Sequence, residues 1–166
     1  LEKYHSKDRP TEKSKKELYE RNKNVFFKEF KSLKYAEITP EKISGNKEFN
    51  EIFFKKLDAF ENDILDGQTF NEAVQNSNLD VISINKVTAN KEDENKKKIE
   101  RIPDDLFKKI YSINNTETPE VINLGSKYYL AEVSNIEKKS RSINDPEVQE
   151  ALNAQLSFEK KIENNN

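Results

Sequence analysis

The side chains able to do chemistry in this 166-residue chain are mostly carboxylates, and their placement points to structure rather than catalysis. Glu61, Asp63 and Asp66 cluster near the end of an expected helix, where acidic residues ordinarily form a solvated surface. Asp104 and Asp105 open another expected helix, where its positive end favours negative charge. No cysteine is present, which excludes disulfides, thiolate metal sites and cysteine nucleophiles. The single histidine, His5, sits in a polar N-terminal segment, so mechanisms needing paired histidines and most zinc sites are excluded. Three isolated glycines cannot build a phosphate-cradling loop. Neither a nucleophile elbow nor an EF-hand pattern occurs. The residues therefore predict no catalytic group, no metal and no cofactor, and point to a binding or structural module.

Composition narrows the partners. Charged residues make up 36% of the chain against 33% hydrophobic, so a small core under a heavily charged surface is expected. Ten Phe and six Tyr at periodic positions argue against disorder. A net charge of -2 with both signs interspersed makes nucleic acid an unexpected partner. No apolar run has the length to span a bilayer. The chain begins at Leu1 and lacks Met, so a fragment of a longer protein is expected, with any export signal or anchor upstream.

The elements that must position these groups centre on 103–137. Pro103 and Asp104 open a helix whose apolar face is Leu106, Phe107, Ile110 and Tyr111. Val121, Ile122 and Leu124 form a strand, Gly125-Ser126 a two-residue turn, and Tyr128 to Val133 the return strand. Upstream, Leu1 to Pro10 reads as a frayed start. Thr11 is expected to cap a helix reaching about Phe30, with Leu18, Phe26 and Phe30 on one line interrupted by Asn22. LKYAEI (33–38) has strand composition and stops at Thr39-Pro40. Glu48 to Leu65 carries a stripe of Phe49, Phe53, Leu57, Phe60 and Ile64, terminated by Asp66-Gly67. Thr69-Phe70-Asn71-Glu72 is a capping box. Leu79 to Val87 reads as another strand. The charged segment 90–101 reads as a solvated loop or exposed helix turn. Asp145-Pro146 starts a last helix, with Val148, Leu152, Leu156, Phe158 and Ile162 on its apolar side and a frayed end from Glu163. This order predicts a small α+β domain: an N-terminal helical arm over 1–31, a central domain over 32–138 and a C-terminal helical arm over 144–166.

Four segments carry a resemblance. Thr118-Pro119-Glu120-Val121 through Lys127-Tyr128-Tyr129-Leu130-Ala131-Glu132-Val133 is similar to the closing "S-x-P-V…G-Y-H-I-I-K-V" hairpin of parvulin-type peptidyl-prolyl isomerases. Leu106 to Ile113 resembles their "F-x-x-A-x-F-x-L" helix. Leu18 to Phe30 resembles the "Y-x-x-N-x-x-x-F" segment before their first strand, and Ile64 to Phe70 their "L-x-x-G-x-x-F" junction. The likeness spans Leu18 to Leu156 and is to the domain as it occurs in SurA/PpiD-like bacterial folding factors. It implies a parvulin-like antiparallel sheet with helices, a periplasmic location open to inner-membrane tethering by an upstream anchor, and unfolded or nascent exported polypeptides as partners. It also implies helical arms that could pair two copies into a homodimer. The family's catalytic histidines do not carry over: Ala36 or Glu37 stands at the first position and Tyr129 at the second, and Leu79 to Arg101 replaces the "G-G-D-L-G-W" segment. The resemblance thus implies a non-catalytic, client-binding module with Tyr35, Leu106 and Tyr129 at the cleft. An active isomerase and a purely structural or oligomerisation module are the alternatives.

Overall fold

The computed structural model describes residues 11–165. Its described residues form an α+β fold of six helices and four strands. In chain order these are α1 (Glu12–Arg21), β1 (Phe27–Glu37), α2 (Pro40–Ser44), α3 (Glu51–Leu65), α4 (Phe70–Ser77), β2 (Val81–Val87), α5 (Asp104–Tyr111), β3 (Glu120–Leu124), β4 (Lys127–Ser140) and α6 (Pro146–Asn165). Two compact units divide the chain: Glu29–Glu137, and a second built from the segments before and after it. The expectations for Leu1 to Pro10, including His5, lie outside the described residues.

In the unit Glu29–Glu137 the sheet runs β2-β1-β4-β3, with β2 antiparallel to β1 and β3 antiparallel to β4. Period-2 alternation sends side chains to two faces. On one face Leu33, Tyr35, Ile84, Ile122, Tyr129, Ala131 and Val133 pack against Leu106, Phe107 and Ile110 of α5. On the other, Ala36 and Leu130 pack against Phe53, Leu57 and Phe60 of α3 and Phe70 and Ala73 of α4. Each fully buried Leu, Ile, Val or Phe side chain among them contributes about 1.5–3 kcal/mol relative to exposure.

Local chemistry sets the boundaries. Asn50 caps α3 by accepting from Phe53 N–H at 3.0 Å, and Thr69 caps α4 by accepting from Glu72 N–H at 3.1 Å. Gly125, at φ 64°, supplies the left-handed conformation of the β3–β4 turn.

Two buried lysines hold α5 at its ends. At the C-terminal end Lys31, 2% exposed, donates to the Tyr111 carbonyl at 2.6 Å, the Ile113 carbonyl at 2.9 Å and Asn114 Oδ1 at 3.3 Å. Its ammonium also lies 4.7 Å from the centre of the Tyr111 ring. At the N-terminal end Lys91 donates to the Ile102 carbonyl and to Asp104 Oδ1, each at 2.7 Å. That hydrogen bond holds the Asp104 carboxyl below its ordinary range.

The second unit packs α1 against α6. Leu18, Tyr19, Phe26, Val148 and Leu152 form its core, with Tyr19 stacked on Phe26 at 5.8 Å. Tyr19 Oη donates to the Arg141 carbonyl at 2.5 Å. Asp145 caps α6 by accepting from Glu147 N–H at 2.9 Å.

Four local expectations are corrected. The first helix ends at Arg21 rather than near Phe30, and Phe27–Glu37 is strand. Asn22 closes the helix, its backbone and side-chain N–H groups both donating to the Leu18 carbonyl. Residues four apart share a face in a strand as well as in a helix, so Phe26 and Phe30 satisfy either period. The return strand runs to Ser140, continuing past Val133 through the mostly polar segment 134–140 with Ile136 packed against the core. The segment 90–101 is not wholly solvated, since Lys91 turns inward and Glu92 pairs with Lys98. The last helix continues past Glu163 to Asn165.

Replacing Lys31 by Met leaves two helix-end carbonyls without a donor. Lys31→Met is expected to lower stability by about 2–3 kcal/mol in urea unfolding. Lys55→Met, which breaks only an exposed pair with Glu51, is expected to change it by less than about 0.5 kcal/mol. Equal effects of the two would refute the helix-end role of Lys31.

Candidate functional site

Tyr35 of β1, Tyr129 of β4 and Leu106 of α5 meet around one open cavity of about 370 Å³. Sheet geometry explains the meeting. Tyr35 is the register partner of Ile82 on β2, Ile122 on β3 that of Tyr129, and the Tyr35 and Tyr129 rings lie edge to face at 6.1 Å. A row of side chains therefore crosses all four strands on the face covered by α5. Helix α5 brings Leu106 down onto that row, and its first turn brings Pro103 to the rim.

Sequence reasoning placed three lining residues and missed six: Glu37, Thr39, Lys42, Asp80, Ile82 and Pro103. Ile82 lies on the edge strand β2 and is 43% exposed although it lines the cavity. The strand order, which sets this edge, is a long-range property with no local sequence signal. The polar rim is paired: Lys42 lies 3.7 Å from Asp80, and Lys127 lies 3.8 Å from Glu37. Arg101 donates to the Ser83 carbonyl at 2.9 Å, covering the middle of the β2 edge.

Burial raises the pKa of both cavity tyrosines. For Tyr35 the Tyr129 hydroxyl adds to the effect and Arg101 opposes it. For Tyr129 the carboxylates of Glu37 and Asp105 add to it. Both are therefore neutral phenols at physiological pH, able to donate a hydrogen bond but poor as bases.

Elsewhere in this unit Phe49, Phe53, Phe54 and Tyr128 form an aromatic cluster with ring centres 5.0–6.3 Å apart. Phe49 and Phe54 remain substantially exposed. The periodic stripe of α3 assigned Phe49 to the core; at the helix entrance it has only part of a partner surface. On α6, Phe158 and Ile162 are likewise exposed. Among the described residues no group of three or more His, Cys, Asp or Glu could hold a metal ion. Among the same residues no helix is long and apolar enough to cross a membrane.

No family model matches the chain, and no curated protein does. Among solved structures, a similar chain comes from the description of PEB4 and the periplasmic protein Cj1289 as two structurally related SurA-like chaperones of Campylobacter jejuni. The two chains are 17% identical, and the likeness covers 93% of this chain and 58% of that one, with a TM-score of 0.29. This chain thus corresponds to less than two thirds of that chaperone's length.

The tyrosine shifts have a pH consequence. A phenol whose folded pKa is raised contributes stability that is present below the unfolded value of 10.0 and lost as pH rises toward the folded value. Stability is therefore expected to be insensitive to these two groups from about pH 6 to 9 and to fall above about pH 10. The alkaline fall is expected to be shallower in Tyr35→Phe and Tyr129→Phe, as read by urea midpoints. A tyrosinate absorbance midpoint for either residue below pH 10.0 would contradict the assignment.

Proposed function

We propose that this chain is a non-catalytic, parvulin-like module of a periplasmic folding factor, and that it holds extended segments of unfolded client polypeptides. The observation that carries this reading is the convergence of Tyr35, Leu106 and Tyr129, from three separate elements, on one open cavity beside an exposed edge strand. A mostly apolar cleft with a few polar groups suits a polypeptide ligand. The hairpin and helix motifs, with Tyr129 where the family has a histidine, support a scaffold that has kept a cleft without its histidines. Unfolded exported polypeptides are the proposed partners, and the periplasm is the proposed location.

Aggregation of reduced, denatured lysozyme, followed by light scattering, tests the reading. The chain in molar excess is expected to reduce scattering by half or more. Ile82→Arg, which places a charge at the cavity mouth from an already exposed position, is expected to remove most of that protection. A protease-coupled assay on a proline-containing tetrapeptide is expected to give the uncatalysed rate. Acceleration abolished by Ile82→Arg would replace the holding role with isomerase activity at the same cleft. Full protection by Ile82→Arg would move client binding away from this cavity. Self-association lost on replacing the exposed Phe158 and Ile162, without client protection, would favour an oligomerisation module.

A further inference from the structure

A tyrosine buried in a protein ordinarily finds a partner for its hydroxyl. Tyr19 and Tyr111 do so here, donating to the carbonyls of Arg141 at 2.5 Å and Glu29 at 3.2 Å. Tyr35 and Tyr129 differ. They are only 4% and 7% exposed, yet neither hydroxyl has a hydrogen-bond partner among the described residues. Nor is either hydroxyl sealed in the core: among the described residues Asn153 Oδ1 is the side-chain atom that is both enclosed and unpartnered. Both hydroxyls therefore open into the cavity that the two residues line. Phenylalanine at either position would fill the same core volume without the polar atom.

The surroundings define what would satisfy two such donors. The two rings lie edge to face with centres 6.1 Å apart and line one cavity, which places both hydroxyls within reach of a single acceptor seated there. The charged rim residues are already paired, Lys42 with Asp80 and Glu37 with Lys127, so the cavity presents no unpaired rim cation to a carboxylate and suits an uncharged acceptor. Ile82 and Pro103 form the accessible apolar part of the wall, with the buried Leu106 behind them, so the group bearing the acceptor is apolar. Val81 and Ile82 leave part of the β2 edge exposed, which suits an extended chain, while Arg101 occupies the Ser83 carbonyl and interrupts simple strand addition there.

We propose that the Tyr35 and Tyr129 hydroxyls together donate to one backbone carbonyl of an extended, uncharged client segment whose apolar side chain rests on Ile82 and Pro103. This assignment depends on the cavity being the client site. It makes the two tyrosines specificity-determining residues that read the client backbone, leaving the apolar wall to accept varied side chains.

The test uses the full chain, nitrogen-15 labelled, and the capped peptide acetyl-Ala-Ala-Leu-Ala-Ala-amide followed by amide chemical shifts. Shifts are expected at residues around the cavity and to be absent in Ile82→Arg. Tyr35→Phe and Tyr129→Phe are each expected to weaken binding by roughly three- to tenfold. Neither is expected to lower the melting temperature, as loss of an internal hydrogen bond would. An analogue with the Leu–Ala amide replaced by an E-alkene is expected to bind the unaltered chain as weakly as the peptide binds the phenylalanine variants. Peptide binding of equal strength in both phenylalanine variants would overturn the phenol assignment while leaving the client cavity in place. An absence of cavity shifts at millimolar peptide, or binding that survives Ile82→Arg, would overturn the cavity reading and the phenol assignment together.

Discussion

Helix α5 closes one face of the sheet, and its ends are fixed by ammonium groups withdrawn from water. A helix end buried without partners is costly, because its last carbonyls and first N–H groups have no partner within the helix. Lys31 meets the carbonyl end with a cation where the helix dipole favours one. Lys91 meets the other end indirectly, tying the Ile102 carbonyl to the Asp104 carboxylate. Neither lysine belongs to the helix it fixes: Lys31 is on β1, and Lys91 is in the loop after β2. The position of α5 over the sheet is thus set by the sheet's own neighbours. Leu106 and Pro103 reach the cavity because α5 is held there.

The same strand supplies both faces of the unit, and alternation decides which residue does what. Along β1, Lys31, Leu33 and Tyr35 face α5, while Lys34 and Ala36 face α3 and α4. Lys34 forms a 3.0 Å ion pair with the buried Glu132 of β4 and lies over the Phe70 ring. Each face therefore contains a charged side chain tied to a covering helix. Buried charges are costly unless paired and hydrogen-bonded, and satisfied ones penalise any register shift that would separate the partners. A one-residue slip of β1 would send Tyr35 to the opposite face and separate Lys34 from Glu132. On this view the cavity geometry and the charge pairs on both faces are consequences of one register.

Much of the fold was legible because it is written locally. The stripe Phe53, Leu57 and Phe60 marks α3, Thr69 marks the start of α4, and Gly125-Ser126 marks the turn between β3 and β4. Phe26–Phe30 misled because a spacing of four fits both periods, and only pairing with a distant strand decides between them. Lys91 fell in a segment that read as solvated and Lys31 drew no reading, since nothing next to either residue announces a carbonyl waiting about 80 positions away in the chain for Lys31 and 11 for Lys91. The cavity was about one third legible. Tyr35, Leu106 and Tyr129 came from motif resemblance, whereas Ile82, Lys42 and Asp80 depend on strand order. Proline and tyrosine types alone do not say which edge of a sheet is open.

A phenol and an imidazole give a cleft different capacities, and the difference is chemical rather than steric. An imidazole changes charge near neutral pH and can alternate between accepting and giving a proton. Tyr35 and Tyr129, with pKa values raised by burial, keep their protons across the range in which proteins fold. They present fixed donors in a partly desolvated site, where an unmet hydrogen bond is costly and a met one is favourable. Rotation about a prolyl amide requires no proton transfer, so absence of a base does not by itself exclude it. It does require an amide nitrogen whose resonance with the carbonyl is weakened, and donation to the carbonyl oxygen does the opposite by favouring the charge-separated, planar form. Two phenol donors aimed at one carbonyl would stabilise the ground-state planar amide. For the proposed ligand, the chemistry of the cleft favours retention of an extended segment over its isomerisation.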